Sequence, residues 1–338
     1  MAEDNKTKDG LMYKQVLATY GYVALWIFLS ATVIMYNKWV LSFSGFPYPV
    51  ALTLWHMFFC SALAFGVVKM GYVEAINMSS ETYLKAVVPI GACYAGTLWL
   101  GNAAYLYLSV SFIQMLKALM PVAVFVVGCA FGTEKYSGGT LVNMLIVSLG
   151  VAIASYGELN FIVIGVVLQM CSICTESTRL VLVQILLQRR GLKLNPITTL
   201  YYIAPCCFGF LLLPFIMLEA PKIMNDPSVI IRPGVLLSNA AAAFALNMAV
   251  FLLIGKTSAL TMNIAGVVKD WMLIGLSVVM YASPVTPLNL GGYFVAFLAV
   301  CLYNYRKLQS MKKGPPTASK DGMQSASDAE LRPLNIAK

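Results

Sequence analysis

Long runs of apolar residues alternate with short polar segments along most of this chain. A membrane-spanning helix needs about 20 mostly apolar residues, and the length of these runs favours helices over the strands of a β-barrel. The pattern predicts an all-α membrane protein with ten transmembrane helices. The predicted spans lie near 17–40, 49–70, 84–106, 110–132, 140–156, 160–187, 197–218, 235–254, 259–281 and 290–305.

The composition agrees with a membrane body. Of the 338 residues, 59% are hydrophobic and 11% are charged, whereas a typical soluble protein has about 25% charged residues. All eight cysteines fall inside apolar runs, which favours packing roles over disulfide bonds. Cys171 and Cys174 have CxxC spacing, but the chain has one histidine and no second such pair to complete a zinc site. We expect no metal and no cofactor.

The basic residues indicate the topology. With both termini in the cytosol, only Lys38, Lys222 and Arg232 fall near the opposite face, in agreement with the positive-inside rule. Residues 1–16 would form a cytosolic segment that resembles neither a signal peptide nor an acid-poor transit peptide. Residues 307–338 are polar and are predicted to form a disordered cytosolic tail. The net charge of +9 therefore reflects topology rather than nucleic-acid binding.

The two halves of the body, about 17–156 and 160–306, are weakly similar to each other. A serine, a lysine and a glycine recur at offsets of 149, 152 and 153 residues. The pairs are Ser109 and Ser258, Lys117 and Lys269, and Gly138 and Gly291. Because each half holds five spans, the second would insert upside down relative to the first. Such inverted repeats are typical of secondary transporters, which bind their substrate near the membrane midplane.

Charged and polar residues occur inside several predicted spans. A charge at the bilayer centre costs about 2.5–3.5 kcal/mol on insertion scales, so such residues usually face a cavity or a partner. Helical spacing groups them into three stripes. These are Ser111, Gln114 and Lys117 in the fourth span, Gln169, Ser172, Glu176 and Arg179 in the sixth, and Asn263, Gly266, Lys269 and Asp270 in the ninth.

Two lysines are the leading candidates for substrate binding. Lys117 and Lys269 occupy equivalent places in the halves and are expected to face the central cavity, where an anionic substrate would neutralise them. Asp270 points about 100° away from Lys269, so we expect these neighbours not to pair with each other. The alternative is a set of internal ion pairs, such as Glu176 with Arg179, or Asp270 with a lysine.

Other chemistry finds little support in the sequence. His56 is expected to be a packed or hydrogen-bonded histidine rather than part of the site. No hydrolase, metalloprotease or nucleotide-binding motif is present, so we predict that the protein is not an enzyme.

Four stretches carry a family resemblance: "YNKWVLS" (36–42), "NAAYLYLSVSFIQMLKALMPV" (102–122), "STRLVLVQILL" (177–187) and "GKTSALTMNIAGVVKD" (255–270). Over about residues 17–306 the chain resembles the nucleotide-sugar and triose-phosphate transporter family of the drug/metabolite transporter superfamily. The resemblance implies ten helices in two inverted five-helix repeats and strict exchange. Plastid triose-phosphate members carry Lys-Arg where this chain has Lys269-Asp270, and the Lys-Asp pair is similar to that of the plant KD group.

The resemblance to the KD group implies a carrier of UDP-sugars. We therefore predict a Golgi nucleotide-sugar antiporter, with the endoplasmic reticulum as the alternative location. It would exchange a cytosolic UDP-sugar, such as UDP-arabinofuranose or another UDP-pentose, for lumenal UMP. A sugar-phosphate/phosphate translocator is the alternative, and a non-transporting membrane protein is a third reading.

The expected substrate-binding residues have different roles. Lys117 and Lys269 would hold phosphate oxygens, and Asp270 would accept hydrogen bonds from sugar or ribose hydroxyls. The remaining candidates are Asn263, Gln114, Asn37, Lys38, Glu176, Arg179, Asn247 and Asn102. The expected partners are a nucleotide sugar, a nucleoside monophosphate and the lipid bilayer, without nucleic acid, and a homodimer is left open.

Overall fold

The computed structural model describes the backbone of residues 2–73, 78–134, 136–190, 196–254 and 259–312. Within these ranges every regular element is helical, which confirms the all-α membrane fold. The ten helices are α1 (Ala2–Phe43), α2 (Pro49–Lys69), α3 (Ser80–Ala104), α4 (Val110–Ala130), α5 (Gly138–Tyr156), α6 (Val163–Arg190), α7 (Pro196–Pro214, continued by Phe215–Glu219 and Ala220–Asn225), α8 (Pro233–Ile254), α9 (Ala259–Tyr281) and α10 (Pro287–Lys312). Nine helical segments among the described residues are long and apolar enough to cross a membrane, and α9 is the tenth predicted span.

The helix boundaries differ from the prediction mainly at the ends of the chain. The backbone of α1 is helical from Ala2, well before the expected start at residue 17. Helix α10 runs to Lys312, several residues into the segment expected to be a disordered tail. The rest of that tail lies outside the described residues.

Helix packing follows the symmetry expected of an inverted repeat. In an inverted repeat, each helix of α1–α5 has a counterpart five helices later in α6–α10. The contact between α3 and α6 then corresponds to that between α8 and α1, α3–α7 corresponds to α8–α2, and α4–α6 corresponds to α9–α1. All six contacts are present. The pairs α2–α7, α4–α9 and α5–α10, which this exchange leaves unchanged, also pack together. This packing agrees with the two inverted five-helix repeats predicted from the sequence.

Helices α5 and α10 touch through their backbones. A Cβ atom on Gly150 would lie 2.5 Å from the backbone nitrogen of Ala296. A Cβ atom on Gly292 would lie 2.7 Å from the carbonyl oxygen of Gly150. Each helix carries a glycine and an alanine four residues apart at this contact, the small-residue spacing that lets membrane helices approach closely. The pair therefore forms a tightly joined edge of the bundle.

Hydrogen bonds between helices stabilise one end of the bundle, which we call the tied end. This end carries the connections 44–48, 105–109, 157–162, 226–232 and 282–286. The Glu219 carboxylate of α7 accepts hydrogen bonds from the backbone nitrogens of Val50 (3.0 Å) and Ala51 (2.7 Å) at the start of α2. A negative charge at a helix N-terminus satisfies free N–H groups and complements the helix dipole. Glu219 therefore supplies the cap that Tyr48, the residue before α2, does not provide.

Candidate substrate-binding site

Two of the cavities formed by the described residues share one wall residue. The main cavity, about 420 Å³, lies between α1, α2, α3, α4, α6 and α8. The small cavity, about 210 Å³, lies between α4, α9 and α10. Lys117 of α4 lines both cavities. A ligand in either space would therefore meet the same ammonium group.

A break in α4 positions this lysine. The first part of α4 ends at Lys117, and the second begins at Met120. Pro121 has no N–H group and cannot donate to the carbonyl of Lys117, four residues earlier. The nitrogens of Ala118 and Leu119 instead donate to carbonyls three residues back, at 3.1 and 3.0 Å. Lys117 therefore stands at the end of a half-helix, an arrangement that transporters use for ion and substrate sites.

The Lys117 ammonium has no hydrogen bond or ion pair to any residue in the part of the chain that the structure describes. The acidic side chains whose charges act on it are Asp270 and Glu176. Each of these carboxylates is already engaged by another basic residue. Lys117 is thus a half-buried cation with acids nearby but without a dedicated partner among the described residues.

Glu176 and Arg179 form a close ion pair one helical turn apart. The Arg179 Nη2 and Nε atoms donate to the two carboxylate oxygens of Glu176 at 2.5 and 2.7 Å. The guanidinium also lies 5.0 Å from the centre of the Tyr94 ring. The internal ion pair considered from the sequence is therefore present. Glu176 lines the main cavity, whereas Arg179 is not part of its wall.

Lys269 and Asp270 also pair, so the expectation that these neighbours would not contact each other is wrong. The Lys269 Nζ lies 3.4 Å from Asp270 Oδ1 because the long lysine side chain bends across the angle between the two Cβ directions. The same ammonium lies 5.5 Å from the centre of the Trp26 ring in α1. Lys269 lines neither cavity, in contrast to the expected convergence of two lysines. Asp270 does line the small cavity, together with Tyr293 and Asn304.

Three amides named from the sequence line the main cavity. Asn37 donates through Nδ2 to Asn102 Oδ1 at 3.3 Å, and Asn102 donates to Thr53 Oγ1 at 2.9 Å. Asn247 donates to the carbonyl of Ala243 at 2.9 Å and keeps its amide oxygen for other contacts. Polar donors and acceptors therefore face a space that is otherwise largely apolar.

Three other predicted residues lie elsewhere. The Lys38 ammonium donates to the carbonyls of Tyr105 (2.6 Å) and Leu108 (3.1 Å) at the tied end, so it joins α1 to the end of α3 instead of lining a cavity. Gln114 is buried outside both cavities, and neither of its amide atoms has a hydrogen bond to a residue that the structure describes. The side chain of Asn263 lies outside the described residues.

Several wall residues were not predicted as binding residues. Thr53 and His56 of α2 and Tyr94 and Thr97 of α3 face the main cavity. The two residues on each helix are three positions apart, so they lie on the same helix face. This spacing could have been recognised in the sequence, as the polar stripes of α4 and α6 were. The predicted polar stripe of α6 does meet the cavity through Gln169, Ser172 and Glu176.

Comparison with known proteins agrees with this architecture. The profile of the triose-phosphate transporter family matches residues 17–304 of the chain. Three Arabidopsis thaliana proteins, each described as a probable sugar phosphate/phosphate translocator, are 56%, 53% and 53% identical to it. The alignments cover 88%, 92% and 92% of this chain and 86%, 90% and 90% of the relatives. This multi-pass membrane protein therefore belongs to the triose-phosphate transporter family.

Proposed function

We propose that this chain is an antiporter of organic phosphates that exchanges a phosphorylated sugar for inorganic phosphate. The observation that carries the proposal is the ammonium of Lys117, which lines both cavities and is unpaired among the described residues. The names of the relatives support the cargo pair, since they describe sugar phosphate/phosphate translocators. Exchange of a UDP-sugar for UMP, the reading that the sequence favours, is the second candidate.

The charge balance of the central residues favours an anionic cargo. The basic side chains are Lys117, Lys269 and Arg179, and the acidic ones are Glu176 and Asp270, which leaves one positive charge. A buried charge without a partner is costly in a membrane interior. A phosphate group on Lys117 would supply the missing charge-assisted hydrogen bonds. An empty carrier would keep the uncompensated charge, so we expect it to reorient slowly and to require a cargo in each direction.

The walls on either side of Lys117 offer contacts for the rest of a sugar phosphate. Asp270, as a carboxylate, accepts hydrogen bonds from hydroxyl groups in the small cavity. The amides of Asn37, Asn102 and Asn247 can donate or accept in the main cavity. The phosphate would thus bind at the shared wall while the sugar extends into one of the two spaces.

The size of the main cavity favours a second candidate, a nucleotide sugar exchanged for a nucleoside monophosphate. Its volume of about 420 Å³ falls within the roughly 300–1,000 Å³ typical of drug-sized ligands. The small cavity adds about 210 Å³ beside the same lysine. A UDP-sugar could place its uridine in the main cavity, its diphosphate at Lys117 and its sugar beside Asp270. A small sugar phosphate would leave much of this volume to water.

Counter-exchange in reconstituted vesicles tests both candidates. Vesicles would be loaded with inorganic phosphate, UMP or buffer, and offered labelled glucose 6-phosphate or UDP-glucose. We expect phosphate-loaded vesicles to take up glucose 6-phosphate many times faster than buffer-loaded ones. Uptake of UDP-glucose driven only by UMP would support the second candidate. Equal uptake into loaded and unloaded vesicles would refute exchange, and no uptake together with no thermal shift would favour a non-transporting protein.

We further propose that the protein resides in the Golgi membrane with both termini in the cytosol, with the endoplasmic reticulum as the alternative membrane. The distribution of basic residues supports this orientation, because few of them fall in the connections of the tied end. Protease protection of terminal epitope tags in sealed vesicles tests the orientation. Co-fractionation with Golgi markers tests the location. Cross-linking in membranes would test the homodimer left open above.

A further inference from the structure

A relay of five side chains runs beside the main cavity and joins α1, α2, α3 and α8. We call it the amide relay, and its members in order are His56, Asn239, Asn37, Asn102 and Thr53. All five are buried, and Asn239 has no exposed surface. His56, expected from the sequence to be packed or hydrogen-bonded, is hydrogen-bonded to Asn239 in this relay.

The hydrogen bond of Thr53, at one end of the relay, determines which group donates and which accepts in each of the other bonds. The carbonyl of Pro49 can only accept, so the hydroxyl of Thr53 donates to it at 2.7 Å. With its proton used, Thr53 Oγ1 must accept from Asn102, which presents Nδ2 at 2.9 Å. Asn102 therefore turns Oδ1 towards Asn37, whose Nδ2 donates at 3.3 Å. Reversing either amide would bring two donors or two acceptors face to face.

The same sequence of donors and acceptors determines which nitrogen of His56 carries the proton. Asn37 is left with Oδ1 to accept from Asn239 Nδ2, at 3.0 Å. Asn239 then presents Oδ1 to His56 Nε2, which must carry the proton of that bond. In a neutral imidazole one nitrogen donates and the other accepts. The relay thus fixes the tautomer of His56 and makes Nδ1 its acceptor.

The acceptor nitrogen of His56 is not used by the part of the protein that the structure describes. His56 lines the main cavity, and its Nδ1 has no hydrogen bond to any residue that the structure describes. We propose that His56 Nδ1 accepts a hydrogen bond from a hydroxyl group of the cargo, and that Asn239 is the positioning residue that fixes the required tautomer. This inference relies on the proposed function only for the presence of an organic cargo. It adds a residue that selects among phosphate esters.

The only histidine of the chain gives a direct readout of the tautomer. Protein purified through a histidine-free tag and labelled with ¹⁵N-histidine would show the two ring nitrogens of His56 alone. We expect one protonated nitrogen, assigned to Nε2, and one unprotonated nitrogen, assigned to Nδ1. Asn239→Leu should abolish this single-tautomer pattern, because its side chain cannot accept. A proton on Nδ1 in the native protein would overturn the proposal.

Ligand recognition is tested in the same sample. Titration with glucose 6-phosphate, UDP-glucose and UMP should move the Nδ1 signal towards that of a hydrogen-bonded acceptor for at least one probe, while Nε2 stays nearly constant. If none of the three probes moves Nδ1, His56 does not recognise a cargo hydroxyl. This arm requires binding but no transport, so its failure is distinguishable from failure of the exchange proposal.

Substitution separates recognition from structure. In His56→Gln the side-chain amide can still donate to Asn239 but has no acceptor at the Nδ1 position. We expect the KM of the exchanged probe to rise about three- to tenfold with little change in kcat, as for loss of one neutral hydrogen bond. Deoxy analogues of the probe should identify the hydroxyl that His56 binds. The analogue that lacks this hydroxyl should bind equally to the native protein and to His56→Gln. An unchanged KM in a folded variant would remove His56 from recognition.

Discussion

The ammonium of Lys269 lies 3.4 Å from the carboxylate of Asp270, the next residue in α9. Lys117 and Lys269 occupy equivalent positions in the two repeats, but this contact gives them different surroundings. Lys269 has an acid and the ring of Trp26 beside it, whereas Lys117 has no partner among the described residues. The two lysines therefore have different surroundings: Lys269 is paired with an acid, and Lys117 has no partner among the described residues.

The Lys269–Asp270 pair should control selectivity for small anions. In Asp270→Asn the lysine loses its carboxylate and gains freedom to bind phosphate, while a hydroxyl-bearing cargo loses an ionised acceptor. We expect inorganic phosphate to inhibit exchange of the organic probe about tenfold more strongly than in the native protein. Inhibition constants measured in vesicles check this. Asp226→Asn, in the 226–232 connection of the tied end, is the control. Unchanged phosphate inhibition in Asp270→Asn would show that Lys269 is not held back by Asp270.

The contact between α5 and α10 should tolerate no side chain at Gly292. Its Cβ would meet backbone atoms of α5, which cannot move aside as a side chain can. Gly292→Ala should therefore lower the melting temperature in detergent by several degrees. The neighbouring Gly291, whose Cβ would meet open space, is the matched control. Gly291→Ala should leave stability unchanged or slightly raised, since Ala is about 1 kcal/mol better than Gly in helices. Equal effects at both positions would contradict the close contact.

Glu158, in the connection between α5 and α6, should make stability depend on pH. Burial raises the pKa of this carboxyl above its usual value and outweighs hydrogen bonds from the backbone of Asn160 and the side chain of Asn289, which lower it. A raised pKa in the folded state means that ionising Glu158 destabilises the fold as pH rises through that value. Glu158→Gln should thus raise the melting temperature at neutral pH, with the gain shrinking as the pH falls towards the ordinary pKa of glutamate. A gain that stays constant with pH would contradict this origin.

The fold could be predicted from the sequence because the physical constraints on membrane helices are simple. The bilayer sets the length of each span, so the apolar runs located ten helices to within a few residues at most ends. An odd number of spans in each half requires inversion, and the packing of equivalent helix pairs agrees with it. Lys117, Glu176 and Asn37 could be placed at a cavity from the sequence because polar residues in apolar runs are rare and need a partner or a cavity.

The other features of the site depend on three-dimensional geometry that the spacing of residues along the sequence does not specify. Lys38 is used by backbone carbonyls at the end of α3, whose availability depends on where that helix stops. The Lys269–Asp270 contact depends on a side-chain conformation rather than on the angle between Cβ atoms. Asn239 is a buried amide in α8 with no cavity surface, and only its hydrogen bonds to His56 and Asn37 reveal its place in the relay.

The most direct test concerns Lys117. Vesicles loaded with inorganic phosphate and carrying native protein, Lys117→Met or Lys85→Met would be compared for initial uptake of the exchanged probe. Lys85 is the matched control because it is an exposed lysine paired with Glu81. We expect Lys117→Met to fold normally and to lose exchange about 10- to 100-fold, as for loss of charged hydrogen bonds, while Lys85→Met keeps the native rate. Native exchange by a folded Lys117→Met protein would contradict the account.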